Sequence, residues 1–98
     1  MEHAVISHDV LAAYAADAAR EVDGVVALVD GPRRHRGVRV TEDDGSFAIE
    51  VHVAVGWGAR APEIGADVQR RVAEYVRRTA KVSASVDVVI AGVAAPGS

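Results

Sequence analysis

The sequence contains no cysteine. Disulfide bonds, thiolate metal sites, cysteine-held iron–sulfur clusters and cysteine nucleophiles are therefore excluded. Aromatic residues are also scarce, with one Trp, one Phe and two Tyr among 98 residues, so a core must be built mainly from aliphatic side chains. No apolar run approaches the roughly 18 residues of a membrane-spanning helix. With no basic and apolar leader pattern at Met1, we expect a cytoplasmic protein that does not insert directly into a membrane.

Charge is modest and unevenly distributed. The net charge is −3, with ten acidic and five basic residues in positions 1–50, and four acidic and six basic residues in positions 51–98. This asymmetry favours self-association or a charged protein partner. No aromatic residues interleave with the arginines, and no RNA-binding signature is present, so we expect no nucleic-acid partner.

Helical spacing of apolar residues predicts two amphipathic helices. The first follows Ser7, whose hydroxyl suits an N-cap, and stops by Gly24. The second begins near Pro62 and Glu63, because proline suits the first turn and a carboxylate suits the positive end of a helix. The buried positions are expected to be Leu11, Ala15, Ala18 and Val22 in the first helix, and Ile64, Val68, Val72 and Tyr75 or Val76 in the second.

Alternating apolar residues predict the strands. The clearest signal is a hairpin, in which Val38 and Val40 precede a turn at residues 42–45 and a long strand follows at residues 47–55. Ile49, Val51 and Val53 of this strand are expected to be buried against Val68 and Val72 of the second helix. Residues 25–29 form a shorter β-prone run, residues 82–90 a last strand, and residues 4–6 a weaker strand candidate. We therefore expect one α+β domain over residues 4–93, with a loose tail at residues 94–98. Its predicted architecture is a two-layer sandwich of two amphipathic helices on a small mixed sheet of three to four strands.

Catalytic patterns are weak. Ser7, His8 and Asp9 are the residue types of a hydrolase triad, but adjacent residues do not usually stack as nucleophile, base and orienting acid. An N-cap followed by a polar first turn explains them better. We expect no enzyme activity and assign no catalytic or cofactor-binding residue.

Metal-site patterns are weak as well. The four histidines are His3, His8, His35 and His52. They lack an i, i+4 pair and zinc-ligand spacing, so no metal is expected. Glu50 shares a strand face with His52, which is more typical of surface solvation than of an acid–base pair.

A basic loop at residues 33–36 is the candidate interaction site. Arg33, Arg34 and Arg36 offer paired donors to a phosphate, a carboxylate or a protein, and Gly31 and Gly37 flank them. The loop lacks the Gly-Lys-Ser/Thr of a P-loop, and an ordinary solvated loop remains the competing interpretation. The second helix also carries five basic residues, but acidic residues four positions away favour a solvated face over a lipid-binding one.

The order of several short motifs resembles the alkaline shock protein family, also called the envelope stress response family of Gram-positive bacteria. The positions that carry the resemblance are Ile6, Ser7, Val10, Glu21, Val22, Gly24, Val25, Gly58, Pro62, Glu63, Val68, Gln69 and Val72, with Val86, Val88, Gly92 and Val93 closing the pattern. The sequence departs from the family at Trp57, where tyrosine is common, and at Thr79 and Ala80, where a glycine usually ends the helix.

The resemblance implies a non-enzymatic cytoplasmic protein that oligomerises. In some family members a separate partner with transmembrane helices holds the protein at the membrane. The family pattern implies no catalytic residues. Two alternatives remain, a small anion-binding domain that uses residues 33–36, and an iron–sulfur assembly domain, for which the required thiolates are missing.

Overall fold

A computed structural model describes residues 7–95 of the chain. Two helices and four strands follow one another as α1 (His8–Arg20), β1 (Val25–Leu28), β2 (Val38–Asp43), β3 (Ser46–Gly56), α2 (Ala61–Ala80) and β4 (Ala84–Ala94). The strand candidate at residues 4–6, including the motif position Ile6, lies outside the described residues.

The long strand β3 is the centre of the sheet. β4 pairs with it in parallel along one edge, from Phe47 opposite Ala84 to Gly56 opposite Ala94. On the other edge β2 and β1 pair antiparallel with successive halves of β3, so that two short strands lie end to end. The crossover through α2 gives the parallel pair that the strand–helix–strand order predicted. The predicted α+β sandwich with a small mixed sheet is confirmed.

The β2–β3 hairpin closes with a two-residue turn. Asp43 pairs with Ser46, and the intervening Asp44 and Gly45 have φ values of 54° and 83°. Two successive positive φ values define the turn whose twist matches that of the flanking strands, and Asp-Gly is a preferred sequence for it. The predicted hairpin is therefore confirmed, with its turn narrowed to two residues.

Both helices begin at or next to the positions predicted from the sequence. Ser7 Oγ accepts a hydrogen bond of 3.0 Å from the Val10 backbone N–H, and α2 carries Pro62 in its first turn. α1 ends at Arg20, earlier than expected from Gly24. Gly24 has a φ of 97°, and a Cβ there would collide with the Ile64 side chain of α2. This glycine therefore permits a close approach between the α1–β1 turn and α2.

The core lies between the helices and one face of the sheet. The predicted core residues Ile49, Val51, Val53, Val68 and Val72 are all at most 1% exposed, so their assignment is confirmed. The intervening β3 residues are only partly buried, because neither α1 nor α2, the two helices within residues 7–95, covers the opposite face of the sheet. That uncovered face is available for contacts outside the core.

The last strand is longer than its sequence pattern predicted. A register shift after the Val53–Ile90 pair leaves Ala91 without a partner, and pairing resumes at Gly92 and continues to Ala94. The predicted tail at residues 94–98 is corrected at its start, since Ala94 belongs to β4. Residues 96–98 lie outside the described part of the chain.

Candidate functional site

The basic segment forms a loop inserted into one edge of the sheet. The Val29 N–H donates to the His52 carbonyl at 2.9 Å, and the His52 N–H donates to the Gly37 carbonyl at 2.9 Å. Residues 30–36, called the arginine loop below, therefore leave β3 and return to it at the same residue. The loop separates β1 from β2 without interrupting β3.

Asp30 closes the neck of the arginine loop. Its Oδ1 accepts hydrogen bonds from the N–H of Gly31 at 2.9 Å and from the N–H of Gly37 at 3.3 Å. These two backbone donors hold the pKa of the Asp30 carboxyl below its ordinary value of 3.8. The ionised carboxylate thus fixes the distance between the two ends of the loop.

Arg34 turns inward and lies against the sheet. Its Nη1 is 2.8 Å from His52 Nδ1, and its Nη2 donates to the Asp30 carbonyl at 3.2 Å. The side chain crosses directly over Gly31, where a Cβ would collide with the guanidinium. Arg34 Nε is buried without a hydrogen-bond partner among residues 7–95. Arg34 is therefore an internal anchor of the loop and not a free cation.

His52 joins this anchor to Glu50 on the uncovered face. Its Nε2 lies 2.8 Å from Glu50 Oε1. A carboxylate accepts only, so Nε2 carries the proton toward Glu50, while Arg34 Nη1 lies within contact distance of both ring nitrogens, 2.8 Å from Nδ1 and 3.1 Å from Nε2. The hydrogen bond from His52 holds the pKa of Glu50 below its ordinary value of 4.5. Both ring nitrogens of His52 are thus engaged within the chain.

Unlike Arg34, the side chains of Arg33 and Arg36 do not pack against the sheet. Both are exposed, and neither forms an ion pair within residues 7–95. Their φ values are 63° and 58°, in a region that residues with a side chain seldom adopt. Arg36 and Gly37, whose φ is 85°, form a second tight turn between His35 and Val38. The predicted trio is therefore divided into one anchor and two free cations.

The opposite edge of the sheet, called the β4 edge below, has a different composition. β4 pairs only with β3, so its outer side has no partner strand among the described residues. Asp87 is the single charged residue in its 11 positions. Val89, Ile90 and Val93 are 37%, 36% and 59% exposed. A groove of about 420 Å³ between β4 and α2 continues this surface, with Pro62 and Ala66 on the helix side.

An apolar patch also lies at one end of the uncovered face. Val26 is 54% exposed, and its Cγ1 lies 3.9 Å from where a Cβ of Gly56 would be. Trp57 follows Gly56 and is 68% exposed. Val93 pairs with the buried Val55, so it lies at the same end of the sheet but on the helix-covered face, outside this patch. The single tryptophan of the chain, between Gly56 and Gly58, is the sequence signal that marks this patch.

The positions that carry the family resemblance are spread over the fold. Those described are Ser7, Val10, Glu21, Val22, Gly24, Val25, Gly58, Pro62, Glu63, Val68, Gln69, Val72, Val86, Val88, Gly92 and Val93. Glu21 accepts from Arg71 of α2 at 3.3 Å, and Gln69 Nε2 donates to the Val86 carbonyl of β4 at 2.8 Å. These contacts join separate elements. The motif therefore marks helix starts, turns, the core and contacts between elements, and it does not converge on one site.

Within residues 7–95, no group of three His, Asp or Glu side chains converges as metal ligands would. Over the same residues, no helix combines the length and apolarity needed to cross a membrane.

Comparison with known proteins places this architecture in a family. Two solved structures share the fold, titled MamM-CTD H264A, with 14% identity and a TM-score of 0.61, and MamM CTD H264A-E289A, with 17% identity and a TM-score of 0.60. Each alignment covers 88% of this chain and 98% of the other. The comparison with curated proteins gave no match. One family model also matches, that of the Asp23 family, whose name is unrelated to residue 23. This family is described as having a cell envelope-related function. Its model matches residues 1–95, so the chain belongs to the Asp23 family.

Proposed function

We propose that this chain is a non-enzymatic assembly module of the cell envelope. It works in the cytoplasm, binds copies of itself, and is held at the membrane by a protein partner that supplies the transmembrane segment. The family description supports the envelope connection. The uncovered sheet face supports the protein-binding role, because it leaves one side of a two-layer domain available to a partner.

The observation that carries the proposal is the apolar patch of Val26 and Trp57. Both are more than half exposed and lie at one end of the sheet. Contiguous exposed apolar side chains mark protein–protein contact sites, and tryptophan is enriched among the residues that dominate binding energy. A partner that covers this patch removes apolar surface from water.

The polar groups on the sheet support a non-catalytic role. His52 is the side chain best suited to acid–base work, yet Glu50 and Arg34 already engage its two ring nitrogens. A general base needs a free nitrogen within hydrogen-bond reach of the substrate. This polar cluster therefore fits anchoring of the arginine loop better than proton transfer.

Photo-crosslinking in cells tests the proposal. A photoreactive amino acid replaces Val26 or Trp57 on the patch, and Asp17 on the exposed side of α1 serves as the matched control. We expect discrete crosslinked species from the patch, recovered in the envelope fraction, and none from position 17. Equal labelling at all three positions, or patch variants that stay uncrosslinked in the soluble fraction, would contradict the assembly role.

The free arginines favour a second candidate, binding of an anionic ligand. Arg33 and Arg36 are exposed without ion-pair partners in residues 7–95, and both hold strained backbone conformations. Strained residues that persist on a surface often serve a function. Titration with inorganic phosphate and with an acidic peptide tests this role. The double variant Arg33→Ser with Arg36→Ser is compared with the control Arg20→Ser on α1. Saturable binding that only the double variant loses would support the role, and binding that neither variant changes would exclude it.

A further inference from the structure

We infer that the β4 edge is the seam of a symmetric dimer, in which β4 of a second copy of this chain pairs antiparallel with it. The inference rests on the proposed function, because it assigns one surface to the self-association proposed above. A two-fold axis makes the same edge meet itself, and a strand that meets its own copy across such an axis runs antiparallel. The two three-strand-wide sheets then become one continuous sheet.

The edge has the backbone groups that such a seam requires. A parallel ladder uses the peptide groups of alternate residues on an edge strand, which leaves the other set facing outward. The Val86 carbonyl, which accepts from Gln69 of α2, marks that outward set. By alternation the peptide groups of Val88 and Ile90 belong to it as well. The outward groups of Val88 and Ile90, which have no partner strand among residues 7–95, form a template for another strand.

The side chains of β4 suit a copy of the same strand. With the axis at Val89, Val88 lies opposite Ile90 of the second copy, and Asp87 lies opposite Ala91. The two Asp87 carboxylates are therefore not opposed, although they are the only charges on the two strands. Since like charges directly opposite each other destabilise a sheet, this register avoids the main obstacle to self-pairing.

The available area also fits a dimer. Eleven residues at about 3.3 Å each give a seam about 36 Å long. If the contact is about 20 Å wide, spanning the strand edge and the side of α2, each copy buries roughly 700 Å², close to the about 800 Å² per partner of a standard interface. Ile90 and the groove beside α2 fall inside this area. Pro62, Gly65 and Ala66 are small and uncharged, which lets the second copy approach.

The absence of cysteine makes the seam directly testable by crosslinking. A residue on the axis faces its own copy, and a pair outside the hydrogen-bonded set has Cα atoms about 4.5 Å apart, within the range of a disulfide. Purified Val89→Cys should therefore form a disulfide-linked dimer under mild oxidation. Val10→Cys on α1 is the matched control, because Val10 is 41% exposed and lies away from β4. We expect Val89→Cys to crosslink at least about tenfold faster, as geometry favours it.

A second pair of variants tests the seam without a covalent bond. Ile90→Lys places charge on an edge, as natural proteins do to prevent pairing, and Val10→Lys adds the same charge elsewhere. Light scattering coupled to size exclusion should show the Ile90→Lys dimer weakened about tenfold or more, with Val10→Lys unchanged. Circular dichroism checks that both variants remain folded.

The outcomes separate this inference from the proposed function. Selective crosslinking at Val89 together with weakening by Ile90→Lys supports the β4 seam. A dimer that crosslinks equally at Val10 and tolerates Ile90→Lys overturns the seam and leaves self-association intact. A monomer at high micromolar concentration also overturns the seam. In that case photo-crosslinking at Val26 and Trp57 still decides whether the chain binds a partner in the envelope.

Discussion

On one side of β3 two short strands end at an inserted charged loop, whereas on the other side β4 runs for 11 residues with one charged side chain. The loop edge carries Arg33 and Arg36 outward and is tied back through Asp30 and Arg34. The β4 edge exposes Val89, Ile90 and Val93. One sheet therefore has one edge protected against pairing and one edge left open.

This difference has a physical consequence. Short edge strands, inserted loops and exposed charge all discourage another strand from adding to a sheet. β1 and β2 use these features together, while β4 has a single unpaired residue, Ala91, as its irregularity. Under the proposed seam, self-association is directed to the β4 side of the molecule. The dimer of that proposal closes at β4 and does not propagate through the opposite edge.

The largest expected effect concerns β3, on which both edges depend. Val51→Ala removes two methyl groups from a side chain that is fully buried between the helices and the sheet. It should lower the free energy of unfolding by about 1–3 kcal/mol through lost apolar contacts and a residual cavity. The matched control is Val26→Ala, which should change stability by less than about 0.5 kcal/mol because its side chain is exposed. Urea denaturation measures both, and equal effects would contradict the assignment of the core face.

The loop edge should depend on Arg34 and not on its neighbours. Arg34→Ala removes the contacts to His52 and to the Asp30 carbonyl, so it should cost about 1–3 kcal/mol, with part of that cost offset because buried Nε is relieved of its desolvation. Arg33→Ala should change stability by less than about 0.5 kcal/mol, since its side chain is exposed. Thermal unfolding compares the two. A larger loss from Arg33→Ala would mean that the loop is anchored differently.

Local pattern was sufficient for most of the fold. The alternation through residues 47–55 identified the central strand, and the spacing of Ile64, Val68 and Val72 identified the buried side of α2. The Asp44–Gly45 turn follows from residue chemistry, because aspartate and glycine tolerate positive φ. These features depend on residues that are close to one another in the sequence. Sequence therefore carries them directly.

The candidate surfaces depend on contacts distant in sequence, so the sequence identified the basic loop but neither its internal anchor nor the open edge of the sheet. Three nearby arginines look equivalent in the sequence, yet Arg34 alone reaches His52, 18 positions away. The end-to-end placement of β1 and β2 on β3 leaves β4 as the open edge, and no local pattern shows which strands become edges. The extension of β4 past Gly92 depends on the unpaired Ala91, which pairing with β3 determines.

Acid should loosen the loop edge before it affects the β4 edge. The folded-state pKa values of Asp30 and Glu50 lie below their ordinary values of 3.8 and 4.5. Their contribution is therefore present above those values and is lost as the pH falls through the lower folded-state values. The double variant Asp30→Asn with Glu50→Gln lacks these two carboxylates, so their pH-dependent contribution to stability is absent from it. Urea midpoints from pH 7 to pH 3 should converge for the two proteins at the acid end, and parallel curves would contradict the assigned hydrogen bonds.

The smallest expected effect compares two turns with the same geometry. Arg36–Gly37 and Asp44–Gly45 both have positive φ at both positions, but arginine is poorly suited to the first position. Arg36→Asn should raise the free energy of unfolding by roughly 0.5–1 kcal/mol, because asparagine adopts this conformation at lower cost. Asp44→Asn is the matched control and should leave the free energy of unfolding nearly unchanged.

Denaturant unfolding measures the gain in stability of Arg36→Asn, and the phosphate and acidic-peptide titrations measure its effect on anion binding. If Arg36→Asn stabilises the fold while weakening anion binding, the strained arginine is retained for the ligand. If it stabilises the fold and binding is unchanged, the strain at position 36 has no role in an anion site.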